Sequence, residues 1–555
     1  MVRLTATFCL GLGLLGISCA PDGSPRSDSQ TNWLRVCQDG DDCGGLACVC
    51  GVCTQGCGEP EDCAALSGAS CVAAEEAGAA AVCDGHLPLT AGLCLPRCDA
   101  GACGTHEYCV AGVCRPLPQT SVSVTVDPAG KHQTLTGFGA TLAYAEADVA
   151  RHPSKAALYQ AMFAELGLDV LRLQNRHDYQ VGNMEVIGEI IAAATDSLGR
   201  QPIVMLTSWS PPGHLKASGT TTCQGDDATC TLVAREDGSF DYEAYGAYWR
   251  AALDAYTGAG VEVTYVGIQN NPEFIPPSTT PGDGCRFLPT EGTEAVSIGG
   301  ALEQIRYPGL DSALEAVFDA ISDLPSVPRL VAPETSTPQV TANYLESLDP
   351  AQLGALGHHL YGTDPRNIDV AALEALGELA RQSGLPFFQT EMEADGLGTA
   401  LLVHHAMAVG GAAMYLQSVL ARPTLSASLN SGTLIGFSAD SFAPQDPYHA
   451  LRHYALHTDP GWVRVQAQAD AAELLASAWL SPDGGRATLV LVNAGASTLD
   501  VRVTMDGWAT PASAESDVSR SVFAGIERSA ELGPLPPSGI VRLPAGSIVT
   551  VALRQ

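Results

Sequence analysis

The chain has 555 residues, of which 46 % are hydrophobic and only 16 % charged, and its formal net charge is −33. This length allows roughly three or four domains, and the acidic excess disfavours binding to nucleic acid or to an anionic membrane surface. The composition is not that of a disordered chain, and no stretch reaches the roughly 18 apolar residues that a membrane-spanning helix needs. We therefore expect folded domains and no nucleic-acid partner.

Residues 1–19 have the layout of a secretory signal. Arg3 precedes an apolar stretch that ends at Leu15-Gly16-Ile17-Ser18-Cys19. This ending is similar to a bacterial lipoprotein cleavage site, which predicts that Cys19 is acylated and that a lipid anchor is the protein's one contact with a membrane; ordinary cleavage is the alternative. We expect an exported protein, either an outer-membrane or cell-surface lipoprotein or a secreted one, with residues 20–36 as a polar linker.

Fourteen of the 19 cysteines lie between Cys37 and Cys114, and a Cys-x5-Cys spacing recurs there three times. The residues between them are rich in glycine, aspartate and alanine and offer little to bury. An even number of cysteines in an exported chain predicts disulfides, here seven of them. Zinc is the alternative, but thiolates in an oxidising compartment pair with one another. Residues 37–115 are therefore expected to form small disulfide-rich modules.

From residue 120 onward, short apolar runs alternate with helix-like segments. Eight strands are predicted, at 135–141, 170–175, 203–209, 263–270, 330–335, 356–361, 387–392 and 412–419. Eight βα units predict an α/β fold, a closed (β/α)8 barrel of the TIM type, over residues 134–458. Residues 459–555 have strand patterns without helices and predict a β-sandwich, which a strand at 120–133 joins from the other side of the barrel.

The chemistry of such a barrel is expected where its strands end. The predicted strand ends carry carboxylates, amides, an arginine and aromatic rings, which together suit the binding of sugar hydroxyls and the stabilisation of a cationic transition state. The motifs of serine hydrolases, zinc proteases and nucleotide-binding enzymes are absent from the sequence. The histidine pairs lack a third metal ligand at suitable spacing, so neither a metal nor a cofactor is expected.

Residues 120–555 resemble glycoside hydrolase family 30, a retaining family with a (β/α)8 barrel and an attached β-sandwich. The matching motifs are Gln133–Ala140, Thr207–Lys216, His359-Leu360-Tyr361-Gly362 and Pro460–Val465. The resemblance implies that the nucleophile is the glutamate of a Thr-Glu pair, here Glu391. It also implies that the acid/base belongs to a Gln-Asn-Glu-Pro motif, in which this chain has Asn271 instead of glutamate.

Asn271 matters because a retaining glycosidase uses a second carboxyl group to protonate the leaving oxygen and later to activate water. An amide cannot do either. Glu334, at the end of the fifth strand, is our preferred substitute acid, although it is equally explained as a sugar ligand or as a partner for Arg172. Glu273 is more simply a loop carboxylate, and the carboxylates after Glu391 have a supporting role.

The same resemblance assigns further residues to substrate binding. Asn270 is expected to contact the 2-hydroxyl, and Arg172 and Tyr361 to hold Glu391 ionised and oriented. His359 is grouped with them. Trp209 is a candidate platform for sugar stacking, with burial in the core as the alternative, and Tyr415 on the eighth strand is a second candidate.

Two functions are compatible with these residues. The first is an exported retaining glycosidase that acts on a β-linked neutral oligo- or polysaccharide; the second is a catalytically impaired carbohydrate-binding protein on the same fold. The net charge disfavours anionic polymers unless a local patch around Lys216 or Arg422 overrides it. Cys223 and Cys230 predict a short disulfide, which leaves Cys285 either free or paired with the cysteine-rich modules.

Overall fold

The computed structural model describes residues 46–49, 52–66, 69–72, 92–96, 107–110, 113–116, 122–178, 184–223, 225, 228–298, 300–423, 432–508, 515–535 and 539–555. The predicted signal at 1–19, with Cys19, and the linker at 20–36 lie outside these residues. Within them, no helix has both the length and the apolar character that crossing a lipid bilayer requires.

Eight parallel strands close into a barrel, which confirms the predicted fold class. We number them β1 to β8: Gly137–Leu142, Val170–Gln174, Ile203–Thr207, Tyr265–Gly267, Arg329–Thr335, Ala355–His359, Phe387–Glu391 and Met414–Gln417. The barrel closes where β8 pairs in parallel with β1, with Met414 opposite Gly137. The carboxyl ends of all eight strands therefore meet at one rim.

Nine helices surround the barrel in the described part of the chain. They are α1 to α9: Glu146–Arg151, Lys155–Gln160, Met184–Leu198, Tyr242–Gly258, Leu310–Ile321, Pro338–Leu345, Val370–Ser383, Gly396–His404 and Asp446–Ala455. Helix α7 shows typical boundaries: the Asp369 carboxylate accepts a hydrogen bond from the Ala372 N–H, and Gly384 ends the helix with a φ of 70°. Short π-helical turns at Ala161–Glu165 and His405–Val409 extend α2 and α8.

The alternation of side chains along each strand separates two cores. In β2, Val170 packs inside the barrel with residues such as Met205 and Phe388, whereas Leu171 and Leu173 join the large cluster between strands and helices. By the same alternation Arg172 and Gln174, two and four positions after Val170, also point inward. The interior near the carboxyl rim is therefore filled by polar side chains at the height where the site is expected.

Eight strands after residue 462 and the long strand that precedes the barrel form one nine-stranded sheet. Its spatial order is Ala530–Gly533, Glu515–Val522, Ser547–Arg554, Arg486–Asn493, Leu474–Leu480, Val463–Ala469, Val122–Thr134, Leu499–Met505 and Ile540–Leu543. Val541 at one end of the sheet shares an apolar cluster with Val518 near the other end. The sheet thus folds over on itself into two layers with a common core, and the long strand 122–134 links it to the barrel.

The described cysteine-rich residues form short hairpins and a three-stranded sheet stapled by disulfides. Cys57 is bonded to Cys71, and Cys63 to Cys94. The sulfurs of Cys57, Cys63 and Cys71 lie within 4.8 Å of one another. Because all three belong to disulfides, this cluster has no thiolate to offer a metal ion.

Cys223 and Cys230 form the predicted disulfide in the loop after β3. Cys285 is a free and fully buried thiol in this region, so its pairing with the modules is wrong. Lys216 is also buried, and its ammonium group donates to the carbonyls of Thr221 and Gly284. It therefore braces two loops rather than forming the surface patch that the sequence analysis considered.

Cys285 should resist alkylation in the native protein. Burial raises the pKa of its thiol to about 12, although the nearby Lys216 acts in the opposite direction, so the reactive thiolate is scarce at neutral pH. We expect iodoacetamide to label Cys285 only after unfolding, as measured by peptide mass spectrometry. Labelling of the native chain within minutes would contradict this burial.

Candidate active site

Arg172, on β2, is completely buried and connects four other strands at the rim. Its Nη1 donates to Glu391 Oε2 at 2.6 Å, and its Nη2 donates to Asn270 Oδ1 at 2.6 Å and to Glu334 Oε1 at 3.0 Å. Its Nε donates to Thr207 Oγ1 at 3.3 Å. The guanidinium thus places one carboxylate from β5 and one from β7 around a single positive charge, and it positions Glu391 rather than touching a substrate itself.

Glu391 ends β7 with its carboxylate held from two sides. Besides Arg172, the hydroxyl of Tyr361 donates to Oε1 at 2.7 Å. Burial would raise the pKa of Glu391, but Arg172 and the Tyr361 hydrogen bond outweigh it and hold the pKa below its ordinary value of 4.5. The side chain keeps 10 % of its surface exposed. Glu391 is therefore an ionised, oriented carboxylate at the edge of the cleft.

Asn270 follows β4 and is 6 % exposed. Its backbone N–H donates to the carbonyl of Ser208, and its side-chain oxygen is occupied by Arg172. This arrangement fixes the amide orientation and turns the side-chain NH2 away from the arginine. Among the described residues nothing accepts a hydrogen bond from that NH2 group, so it is available to a sugar hydroxyl.

Asn271 adopts a left-handed backbone conformation, with φ of 43°. Asparagine tolerates this region better than most residues. Its backbone N–H donates to the carbonyl of Glu334 at 3.0 Å, and its side-chain oxygen is buried without a hydrogen-bond partner in the described residues. The position at which the resemblance expects an acid/base therefore carries a group that does not titrate.

Glu334 is fully buried beneath the cleft. Its carboxylate contacts Arg172 and accepts a hydrogen bond from Thr207 Oγ1 at 3.3 Å. It fits only because residue 267 is glycine, since a Cβ there would lie 1.8 Å from Oε2. Burial raises the pKa of Glu334. In this conformation Glu334 is a fully buried partner of Arg172, which is the role that the sequence analysis gave as an alternative to a substitute acid.

The other candidate carboxylates also have structural contacts. Glu273 accepts from the backbone N–H of Ser336 at 2.7 Å, and Glu393 accepts from Arg422 at 3.1 Å. Asp395 caps helix α8. Glu273 and Glu393 each bind a residue of a neighbouring loop, and Asp395 binds its own helix, so each of the three carboxylates has a structural partner.

The candidate aromatic residues differ in their exposure. Trp209 is partly exposed, and the guanidinium carbon of Arg172 lies 4.5 Å from its ring centroid. Tyr415 is fully buried in the cluster between barrel and helices because its position on β8 points outward, so its assignment as a stacking platform is wrong. His359 is likewise fully buried, and burial lowers its pKa to about 3. It is a neutral wall residue that does not reach the cleft surface.

The structure adds a group at the rim that the sequence analysis missed. Tyr144, two residues after β1, is 60 % exposed and has a left-handed φ of 65°, which is strained for a bulky residue. Its hydroxyl donates to Asp283 Oδ2 at 3.2 Å, and Gln174 donates to the same oxygen at 2.9 Å. Because functional residues of such a barrel lie where its strands end, the position of Tyr144 just after β1 could have identified it from the sequence. Asp283 lies in a long loop, and no local sequence pattern predicts where that loop runs.

No family model matches the chain. Solved structures with the same fold include a glycoside hydrolase family 30 subfamily 8 xylanase from Clostridium acetobutylicum, with 20 % sequence identity and a TM-score of 0.57, which covers 78 % of this chain and 100 % of that one. The catalytic domain of a family 30 xylanase from Talaromyces cellulolyticus has 16 % identity and a TM-score of 0.58, with the same coverage. An endo-β1,6-glucanase has 13 % identity and a TM-score of 0.56, and covers 81 % of this chain and 99 % of that one. This chain therefore has the fold of the family 30 glycoside hydrolases, a (β/α)8 barrel with an attached β-sheet domain.

Proposed function

We propose that the chain is an exported retaining glycosidase that acts on a β-linked neutral oligo- or polysaccharide, with Glu391 as the nucleophile. The observation that carries this proposal is the state of Glu391. Arg172 and Tyr361 hold its carboxylate ionised at the cleft. A binding protein has no need of a buried arginine and a tyrosine hydroxyl that keep this carboxylate charged and oriented. Export and acylation at Cys19 are part of the proposal and rest on the sequence pattern.

The surroundings of Glu391 suit a neutral sugar. The free NH2 of Asn270 supports a contact with a hydroxyl next to the reacting carbon, and Trp209 and Tyr144 present partly exposed rings for stacking. Among the described residues, the cation that pairs with Glu391 is Arg172, and it is already occupied by two carboxylates. An anionic substrate would find no free positive charge among these residues, which favours an uncharged one.

The chemistry then proceeds in two steps. A Glu391 oxygen attacks the anomeric carbon, and the glycosidic bond breaks as its electron pair leaves with the departing oxygen. Water later attacks the same carbon, releasing the sugar and restoring the carboxylate. Because Asn271 can neither donate nor accept the proton, both steps lack an assistance that is typically worth about 10²–10⁴-fold in rate. Good leaving groups, which depart without a proton, should therefore react best.

Asn271 also favours the second candidate, a carbohydrate-binding protein on a glycosidase fold. The amide at the acid/base position would still hydrogen-bond a sugar oxygen while leaving the bond intact. The two functions differ in one observable, the formation of a covalent glycosyl adduct.

Covalent trapping on the full chain distinguishes these functions. We expect activated aryl β-glycosides to release a burst of phenol and to leave a glycosyl group on Glu391, since phenolates leave without acid assistance and deglycosylation is slow. Intact-mass and peptide mass spectrometry would locate the adduct, and Glu391→Gln is the matched control that should give none. If no sugar of a broad panel labels the protein while neutral oligosaccharides raise its melting temperature, the binding function replaces the enzymatic one.

A further inference from the structure

A cavity of about 480 Å3 lies at the opposite end of the barrel from Glu391. Its wall includes Phe387, the first residue of β7, and Ala413, which directly precedes β8. The nine-stranded sheet contributes residues 131–134 and Arg464. The cavity therefore sits where the amino-terminal end of the barrel meets the sheet, remote from the candidate active site.

The charge of this cavity is opposite to that of the protein. Its described lining contains three of the chain's 28 lysines and arginines together with one histidine, and no aspartate or glutamate. These basic residues are Lys131, His132, Arg381 and Arg464. In a chain of net charge −33, three cations in a lining that contains no carboxylate mark a site that favours anions, although Arg381 is also paired with Glu378 outside the lining.

Arg464 is the central cation of this cavity. It is only 8 % exposed, and its Nε donates to Gln133 Oε1 at 2.9 Å. Gln133 is in turn fixed, because its side-chain nitrogen donates to the carbonyls of Met407 and Ala412 at 2.6 and 2.9 Å. The guanidinium is thus held in one orientation by groups that carry no charge.

The terminal nitrogens of Arg464 have no hydrogen-bond or ion-pair partner in the part of the chain that the structure describes. Burial lowers the pKa of Arg464 to about 10, which leaves the guanidinium protonated at neutral pH. A buried charge without a counter-charge is unfavourable, and buried arginines are ordinarily paired with carboxylates. The pair of terminal N–H groups is the arrangement that binds a carboxylate or phosphate through two parallel hydrogen bonds.

The local strand geometry explains why Arg464 faces this cavity. Its neighbour Val465 packs into the core of the sheet, so alternation turns Arg464 to the opposite side, toward the barrel. The pairing with strand 122–134 shifts register here, with Val463 opposite Thr134 and Val465 opposite Lys131. This β-bulge brings the residues between Lys131 and Thr134 beside Arg464.

The rest of the wall sets the size and polarity of a ligand. Arg381 uses its Nε and Nη2 to bind Glu378 and leaves Nη1 without a partner among the described residues. Aliphatic groups such as Leu385 and Val409 complete the lining. A volume of about 480 Å3 falls in the range of pockets for small organic molecules and exceeds what a single inorganic ion fills.

We propose that this cavity binds a small organic anion of about monosaccharide size, whose carboxylate or phosphate group pairs with the terminal nitrogens of Arg464. The site is distinct from the glycosidase cleft and does not depend on the proposed function.

Calorimetric titration of the full chain at low ionic strength tests this site. The probes are D-gluconate, glucose 1-phosphate and neutral D-glucose. We expect at least one anion to bind and glucose not to, and Arg464→Gln to weaken anion binding by about tenfold or more, the usual effect of losing a charge-assisted hydrogen-bonded pair. Binding of gluconate alone would identify a carboxylate ligand, and binding of glucose 1-phosphate alone a phosphate ester.

Control variants show whether the anion occupies this cavity. Arg554→Gln removes the same charge from an exposed arginine elsewhere on the sheet and should leave binding unchanged, as should Glu391→Gln in the cleft. If Arg464→Gln does not fold, the exposed pair Lys131→Gln and Arg381→Gln replaces it and should also weaken binding. The proposal is overturned if the native chain binds neither anion, or if the cavity variants bind them as well as Arg554→Gln does.

Discussion

Asn271→Glu is expected to raise the hydrolysis rate of β-glycosides with poor leaving groups by about 10²–10⁴-fold. The carboxyl group would stand at the position where the resemblance to family 30 expects the proton donor. Aryl glycosides with good leaving groups should gain little in the first step, because their departure needs no proton. The gain should therefore grow as the pKa of the leaving group rises, which a series of substituted phenyl glycosides would measure.

The pH profile gives an independent signature of this variant. The pKa of Glu391 is below its ordinary value, so the proposed nucleophile is already ionised in the neutral range and should limit the rate only on the acid side. With no acid at position 271, we expect the native chain to show no loss of rate on the alkaline side. Asn271→Glu should introduce such a loss, because the new carboxyl group must be protonated to act.

Asn271→Gln is the matched control, since it adds the same methylene and lacks only the titrating group. Both variants place a longer side chain at a left-handed φ of 43° and should lose about 1–2 kcal/mol of folding free energy alike. If the glutamate and glutamine variants have equal rates on poor leaving groups, a side chain at position 271 does not reach the glycosidic oxygen. The mechanism inferred from the fold would then be wrong.

Arg172→Met should destabilise the barrel by about 3–5 kcal/mol and abolish any turnover. The substitution keeps an unbranched apolar stem, two atoms shorter than arginine, but leaves the carboxylates of Glu334 and Glu391 buried without their shared counter-charge. Adding Glu334→Gln to this variant removes one of the two unpaired charges and should recover part of the lost stability. Urea unfolding followed by tryptophan fluorescence would measure both changes.

The loss of folding stability in Arg172→Met should change with pH in a defined direction. Without Arg172, burial raises the pKa of each carboxyl group above its unfolded value, so the folded state binds protons more tightly than the unfolded one. The deficit should be largest at neutral and alkaline pH and should shrink as the pH falls and the carboxylates are protonated. Arg235→Met, which removes an exposed ion pair with Asp241, should cost no more than about 1 kcal/mol at any pH. A loss equally small for Arg172→Met would show that the buried network contributes little.

The sequence by itself determined the architecture and the set of residues that lie at the carboxyl ends of the barrel strands. Apolar runs of strand length separated by helical segments specify βα units, and the parallel arrangement brings all strand ends to one side. That rule alone placed Arg172, Asn271, Tyr361 and Glu391 near one another. The resemblance to glycoside hydrolase family 30 then implied a role for each residue without any knowledge of distances.

Only the tertiary structure decided which of those side chains face the cleft. Glu334 turns beneath the site because its own φ of 55° redirects the strand and because Gly267, on another strand, leaves room for its carboxylate. Tyr415 points outward because of the position at which β8 enters the barrel. Neither effect is visible in a local pattern, since each depends on residues distant in the chain.

Dependence on residues distant in the chain also accounts for the features that the sequence analysis did not predict. Gln133 and Arg464 are 331 residues apart and meet only because the strand before the barrel pairs with the strand after it. Asp283 reaches Tyr144 through a loop whose path is set by contacts with its neighbours. Local periodicity specifies elements and their ends, whereas the long-range packing of those elements creates the buried network around Arg172 and the basic cavity at the opposite end.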